Sequence, residues 1–323
     1  MTRAKGVALI TALLITAIVG SVAANLSWDN ALDVRRTMVM LYRDQAVQVA
    51  VGSEGWVRTI LSDDLAASQN DHLDEVWATE IPALPIDSEA VQGQIWGQII
   101  DLQGRFNVNN LIGDNGEFDQ AALEQFERLL VAVGLDPRLA AATADWLDSD
   151  ESELIPDGAE DPYYTGLTPA YRTANRRISN VTELAAVDGM DRASFELLLP
   201  HITALPGRTP VNVNTATIPV LMSLGPNLTT GDAEGLIAAR QDGGFVDYAD
   251  IFAPLVDADL LPWISENSEY FQLNAVVQID TVRVSLFTVL HRDASSGDAT
   301  PILRSLGTCL LYTSDAADDV STV

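Results

Sequence analysis

The sequence predicts an α+β fold: one long N-terminal helix packed on an antiparallel sheet, with a large α-helical domain inserted between the strands of that sheet. Three observations predict it. No proline interrupts Val7–Leu61, and its second half carries apolar residues at helical spacing. Alternating residues run over Phe271–His291 with a turn near Asp280, the pattern of a long hairpin. A second alternating stretch lies at 94–108, so strand segments from both ends of the chain flank a helical middle.

The helix comes first. In "RAKGVALITALLITAIVGSVAANLSWDN" two basic residues and a glycine precede Val7–Ala24, 18 residues without a charge. At 1.5 Å per residue that is about 27 Å of helix, enough to cross a bilayer core, and Arg3 and Lys5 hold the short N-terminus on the cytoplasmic side. Three readings stay open here: a signal peptide cut near Ser21-Val22-Ala23, an uncleaved anchor, or cleavage after Gly6 that keeps the apolar helix. The third is the arrangement of type IV prepilin-like proteins, which this leader and stalk resemble. Beyond the apolar run, Val39, Tyr42, Ala46, Val49, Ala50, Ser53, Val57 and Ile60 form a stripe that predicts packing on a globular body.

The rest of the chain follows in order. Gln94–Ile99 and Asp101–Phe106 alternate as a hairpin or sheet edge. Residues 118–147 switch to helical spacing, broken at Gly134. "NVTELAAV", "DRASFELLLPHI" and "TIPVLMSL" continue as short helices, and the hairpin and a last strand close the fold at residue 306.

Composition limits the function. With 18 basic against 46 acidic residues the chain carries a net charge of −28, which repels nucleic acids and anionic lipid and favours cationic partners, divalent metals included. Cys309 is the sole cysteine, so there is no disulfide framework, and three histidines with no second cysteine speak against zinc.

The carboxylates are densest in "DWLDSDESELIPDGAEDPYY", where Pro156, Gly158 and Pro162 force a loop. Asp148-Ser149-Asp150 and Glu160-Asp161 offer oxygens from two loop segments, as a hard cation such as calcium requires. It is not an EF-hand, because Ser152 and Glu153 stand where the third ligand and the glycine belong. A solvated acidic loop and a pair of general acid–base carboxylates are the rival readings; the latter would make the chain a calcium-dependent hydrolase.

"VNVNTATIPVLMSL" and "AEGLIAARQDGGFVDYADIF" resemble helix-hairpin-helix units of competence-type DNA-binding proteins. The turn that would meet a phosphate, "GPNLTTGD", has no Lys or Arg, and Arg240 is the only base of the unit. A membrane-anchored exported DNA-binding protein is therefore an alternative with the hairpins but without the charge for it, and the expectation is no nucleic acid.

Taken in order, the Gly6 leader and stalk, "DLQGRFNVNNL", "DWLDSDE", "PDGAEDPYY", "PAYRTANRRISNVTELAAV", "VNVNTAT" and the terminal hairpin resemble the K-type minor pseudopilins of the type II (general) secretion pathway. The resemblance covers roughly residues 1–306. It implies a pilin-like fold, no catalytic residue, and calcium in the acidic loop, carried onto Asp148, Asp150, Glu160 and Asp161, with Asp145 as a further ligand. It also implies prepilin peptidase cleavage between Gly6 and Val7 with methylation of the new amino group. The partners it implies are other minor pseudopilins, the major pseudopilin and the inner membrane, with exported cargo as a further contact and the body in the periplasm. Pilin-like helices carry a glutamate at the fifth mature position, here Thr11, so the subunit lacks the carboxylate that would pair with a neighbour's N-terminus and suits a filament tip.

The expected organisation is a leader at 1–6, a membrane-spanning segment at 7–24, a first pilin-like part at 25–111, the inserted helical domain at 112–265, a second pilin-like part at 266–306, and a non-native or disordered tail at 307–323.

Overall fold

The computed structural model describes residues 4–87, 92–241 and 243–307. Helix α1 spans Ala4–Ala67 as 64 unbroken residues, a turn and a half longer at its C-terminal end than the stretch Val7–Leu61. It is about 96 Å long. Its first part is exposed and apolar from Val7 to Leu26, and packing on the body begins only at Tyr42. Val39, expected in the packed stripe, is exposed, because the sheet does not reach that far up the helix.

Strands β1, Ile81–Asp87, and β2, Gln92–Asp101, form an antiparallel hairpin. The chain then enters the helical excursion through β3, Phe106–Asn107, helices α2, Gln120–Ala132, and α3, Leu139–Leu147. It continues through α4, Asp161–Tyr164, α5, Arg192–Leu198, β4, Ile202–Thr203, and β5, Val211–Asn212. Helices α6, Ile218–Ser223, α7, Thr230–Ala239, and α8, Tyr248–Phe252, and strand β6, Ile264–Ser265, complete it. Strands β7, Tyr270–Ile279, β8, Val282–Arg292, and β9, Ala299–Leu306, return to the sheet, whose order is β1-β2-β7-β8-β9.

The terminal hairpin has the register its alternation demands. Phe271, Leu273, Ala275 and Val277 face α1, opposite Leu290, Thr288, Leu286 and Val284, and a two-residue turn holds Asp280 at φ 52°. Two corrections to the sequence reading arise at the other end of the sheet. The alternating stretch at 94–108 is not one hairpin: the strand ends at Asp101, and Phe106–Asn107 pairs in parallel with Ile202–Thr203 inside the excursion. The strand that completes the hairpin is β1, whose Pro82 and Pro85 hide it from a strand pattern but are tolerated at a sheet edge.

Two cores result. One lies between α1 and the sheet, around Trp77, whose ring meets Phe271 edge-on at 5.2 Å. The other fills the excursion, with Phe106 stacked on Phe126 at 5.2 Å. The sheet strands stop at Asp101 and resume at Tyr270, so further loop and short strand flank the helices read as 112–265.

Buried asparagines hold the excursion's loops. Asn109 Nδ2 donates to the carbonyls of Ile178 and Leu205, while its Oδ1 accepts from Ile178 N. Asn214 brackets Phe245 in the same way, accepting from its N–H and donating to its carbonyl. Side-chain amides thus stand in for missing strand partners.

Where the two cores meet, the contacts are polar. Arg292, buried on β8, donates from one terminal nitrogen to both oxygens of Asp71 at 2.6 Å and to the Ser268 carbonyl at 2.8 Å. Its other terminal nitrogen reaches Asp64 Oδ2 at 3.1 Å. Beside it, the fully buried Asp101 accepts from Asn212 Nδ2, Thr215 Oγ1 and Ser268 Oγ. Helix, sheet and excursion are joined here.

Candidate metal centre

Helix α3 ends at Leu147, and its last turn is apolar except for Asp145, with Asp148 as the C-cap residue. A spacing of three puts both carboxylates on one face of the helix end. Across from them Glu160 is the N-cap of α4 and accepts from Asp161 N at 3.2 Å. Carboxylate oxygens of Asp145, Asp148 and Glu160 lie within 4.8 Å of one another, and the three residues are at most 2% exposed.

None of the three forms a salt bridge with a described residue. Asp148 Oδ1 and Glu160 Oε1 are closed to solvent and have no hydrogen-bond partner. Asp145 accepts from Leu154 N at 3.1 Å. Burial, then repulsion from neighbouring carboxylates, pushes Asp145 up to about 6 and Asp148 and Glu160 each up to about 7. Buried carboxylate oxygens with no cationic partner among the described side chains fit a hard divalent ion, for which calcium's preference for several carboxylate oxygens is the match.

The other two expected ligands point elsewhere. Asp150 is exposed and accepts from Ser152 N at 2.6 Å. Asp161 accepts from the N–H and Oγ1 of Thr173, at 3.0 and 2.8 Å, and pairs with Arg172. The chain around the triad is fixed from outside: Arg177 donates to the carbonyls of Ile112 and Gly113, and Tyr164 packs edge-on against Trp146 at 5.2 Å. Sequence reasoning missed this frame, although "YRTANRR" and "DPYY" carry Arg177 and Tyr164.

Gly158 closes the triad from one side. A Cβ there would fall on Asp145 Oδ2 and lie 2.6 Å from both the N and O of Leu154. Gly158→Ala is therefore expected to lower stability by about 1–3 kcal/mol through overpacking. Thermal unfolding should show it, with a larger deficit when calcium is present than when it is chelated.

A second carboxylate group, Asp64, Asp71 and Glu75, has its cation already, in Arg292. Arg240, the base of the helix-hairpin-helix-like unit, is buried and donates to the carbonyls of Val213 and Ala216, at 2.8 Å each. It braces α7 against the chain before α6 and is not presented to any phosphate.

Comparison with known proteins bears on these features together. A family model described as type II secretion system (T2SS), protein K matches residues 104–207 in its first part and residues 211–265 in its second. A type II secretion system protein K of Pseudomonas aeruginosa is 33% identical over 316 residues, covering 94% of this chain and 93% of its own. The chain belongs to the type II secretion system protein K family. The K protein of Klebsiella pneumoniae is 32% identical, over 90% of this chain and 93% of its own. In fold, the chain is similar to a chain in the crystal structure of the GspK-GspI-GspJ complex from the enterotoxigenic Escherichia coli type 2 secretion system. The TM-score is 0.74 at 23% identity, covering 85% of this chain and all of the other. These K proteins are the minor pseudopilins that the ordered motifs resemble, and neither a DNA-binding protein nor a hydrolase is among the relatives described.

Proposed function

We propose that this K-family chain is a non-enzymatic subunit at the tip of the periplasmic pseudopilus, where it starts the filament with other minor pseudopilins. The observation that carries this reading is α1: its turns from Val7 to Leu26 are apolar and exposed, and only its later turns pack on the body. Such a helix anchors first in the inner membrane and then packs among other helices. Thr11 supports the tip position, because its hydroxyl is turned back onto the carbonyls of Val7 and Ala8 at 3.0 Å and offers no charge to a neighbour's amine. The excursion adds bulk that a position inside a filament would not accommodate.

On this reading prepilin peptidase removes MTRAKG, and the amino group of Val7 is methylated; Met1–Arg3 lie outside the described residues. Partners follow by similarity to the E. coli complex: minor pseudopilins of the GspI and GspJ kind, then the major pseudopilin, with exported proteins as visitors to the tip. The buried triad of Asp145, Asp148 and Glu160 would hold calcium, with Asp150 and Asp161 near enough in sequence to join when the loop closes on the ion. The ion would neutralise the triad and pin α4 to the end of α3.

Mass spectrometry of the chain purified from membranes tests this. The expected N-terminal peptide begins with methylated Val7. A peptide beginning near Ala24, or an intact Met1, would overturn the reading.

A further inference from the structure

A third orphaned oxygen stands at the end of α3. Asn175 lies outside the acidic loop in sequence, two residues before Arg177, and its backbone N–H donates to the Trp146 carbonyl at 3.1 Å. Its Nδ2 reaches the Asp150 carbonyl at 3.4 Å. The residue therefore spans the turn from Trp146 to Asp150, and Asp148 lies in the middle of that turn. A carbonyl can face Nδ2 but not Oδ1, so the amide oxygen is turned away from Asp150 O. Oδ1 is closed to solvent and accepts no hydrogen bond from a described residue, the condition also found for Asp148 Oδ1 and Glu160 Oε1.

The buried asparagines of the excursion behave differently. Asn107, Asn109, Asn110, Asn212 and Asn214 each have Oδ1 accepting from a backbone N–H. An oxygen shut away from water without a donor costs stability. Here three of them belong to one end of α3, and each lacks a donor. One N–H would satisfy one oxygen, whereas a single cation would satisfy all three. The backbone adds a second constraint. Asn175 has φ 45°, one of two positive values among the described non-glycine residues, and asparagine tolerates it better than most. Glycine would take that conformation more readily but would bring no oxygen.

We propose that Asn175 Oδ1 is a ligand of the cation held by Asp145, Asp148 and Glu160, supplied by a further stretch of chain. This rests on the calcium reading above. Calcium takes several oxygens and mixes carboxylates with amide carbonyls. Three carboxylates already exceed its charge, so the next oxygen is better neutral. The added ligand also changes what the ion holds together. The triad by itself joins α3 to α4. Asn175 brings in the 171–177 segment, which Arg177 ties onward to the Ile112 and Gly113 carbonyls.

Titration calorimetry with calcium on the full chain in detergent micelles, at pH 7.5 after dialysis against chelator, tests the proposal. Asn175→Gly keeps the positive φ and removes the oxygen, and it should weaken calcium binding about tenfold. Asn175→Asp puts a charged oxygen in the same place and should tighten binding, so it decides the matter even where the glycine variant does not fold. Unfolding temperatures with calcium and with chelator are read alongside. An asparagine that serves only the backbone predicts equal changes under both conditions; a ligand predicts that the calcium-induced rise shrinks in Asn175→Gly and persists in Asn175→Asp. Unchanged affinity in Asn175→Gly, or unchanged or weaker affinity in Asn175→Asp, would overturn the assignment of Asn175 and leave the triad standing. No calcium uptake by the unaltered chain would overturn the triad's calcium and this ligand together.

Discussion

Arg292→Met will destabilise the folded body by about 3–5 kcal/mol, the cost of leaving buried carboxylates without their cation. Asp71 is as closed to solvent as Arg292 itself, and no second basic side chain stands among its hydrogen-bond partners. Burial and the neighbouring Glu75 and Asp71 carboxylates already hold Asp64 at about 7 even with Arg292 in place. In the variant Asp64 loses the cation that holds its value down and rises further. A carboxyl whose folded value is raised favours folding while protonated and opposes it once ionised. The deficit should therefore be largest above pH 7 and shrink as the pH falls toward 5. Chemical denaturation at the two pH values measures it. Adding Asp71→Asn to Arg292→Met should recover part of the loss, since it removes the unpaired charge; a double variant no more stable than the single one would show that packing, not charge, is what Arg292 supplies.

Chelating calcium should lower the unfolding temperature by about 5–10 °C at pH 7.5. That is the effect of a ligand near a hundred times its dissociation constant, about 2.7 kcal/mol, in a domain of this size. The pH dependence has a definite sign. Asp145, Asp148 and Glu160 have folded values of about 6, 7 and 7, above their usual 3.8 and 4.5. In the chelated protein their stabilising contribution is full only below about pH 3.8, the lower of the unfolded values, and is lost progressively as the pH rises through the folded values of about 6 and 7. Calcium needs the ionised forms, so its effect runs the other way and should vanish near pH 5. Differential scanning calorimetry with calcium and with chelator, at pH 5 and 7.5, checks both limbs. Asp148→Asn should abolish the calcium-dependent gain while making the chelated protein less sensitive to pH. Equal unfolding temperatures with and without calcium at pH 7.5 would remove the metal from the triad.

The elements that could be read from the sequence are those whose signal is local. The hairpin around Asp280 announces itself by alternation, and α2 and α3 by apolar spacing and the break at Gly134, where φ is 81°. The acidic loop could be found by density alone, and three of its five expected ligands converge. Which three was not legible, because the choice depends on the end of α3 and on Thr173, which claims Asp161 from twelve residues away. Strand β1 was hidden by its prolines. The Arg292–Asp71 pair was hidden by a separation of 221 residues, across which no periodic pattern reports. The repeated asparagines of "NVNN" and "VNVN" helped to identify the family, but their work, bracketing loop amides, needs the partners' coordinates to be seen.

Strands β2 and β7 are hydrogen-bonded neighbours, with Asp101 opposite Phe271. To the sheet, everything between them is a single connection whose two ends must meet. The entropy of closing such a connection grows only with the logarithm of its length, about 0.6 kcal/mol per doubling. A turn of four residues and an excursion of roughly 170 therefore differ by only about 3 kcal/mol in closure, a sum that the excursion's own core can offset. The sheet is nearly indifferent to what is threaded between these two strands, which leaves the excursion free to change in size and surface while the stalk and its packing stay as they are.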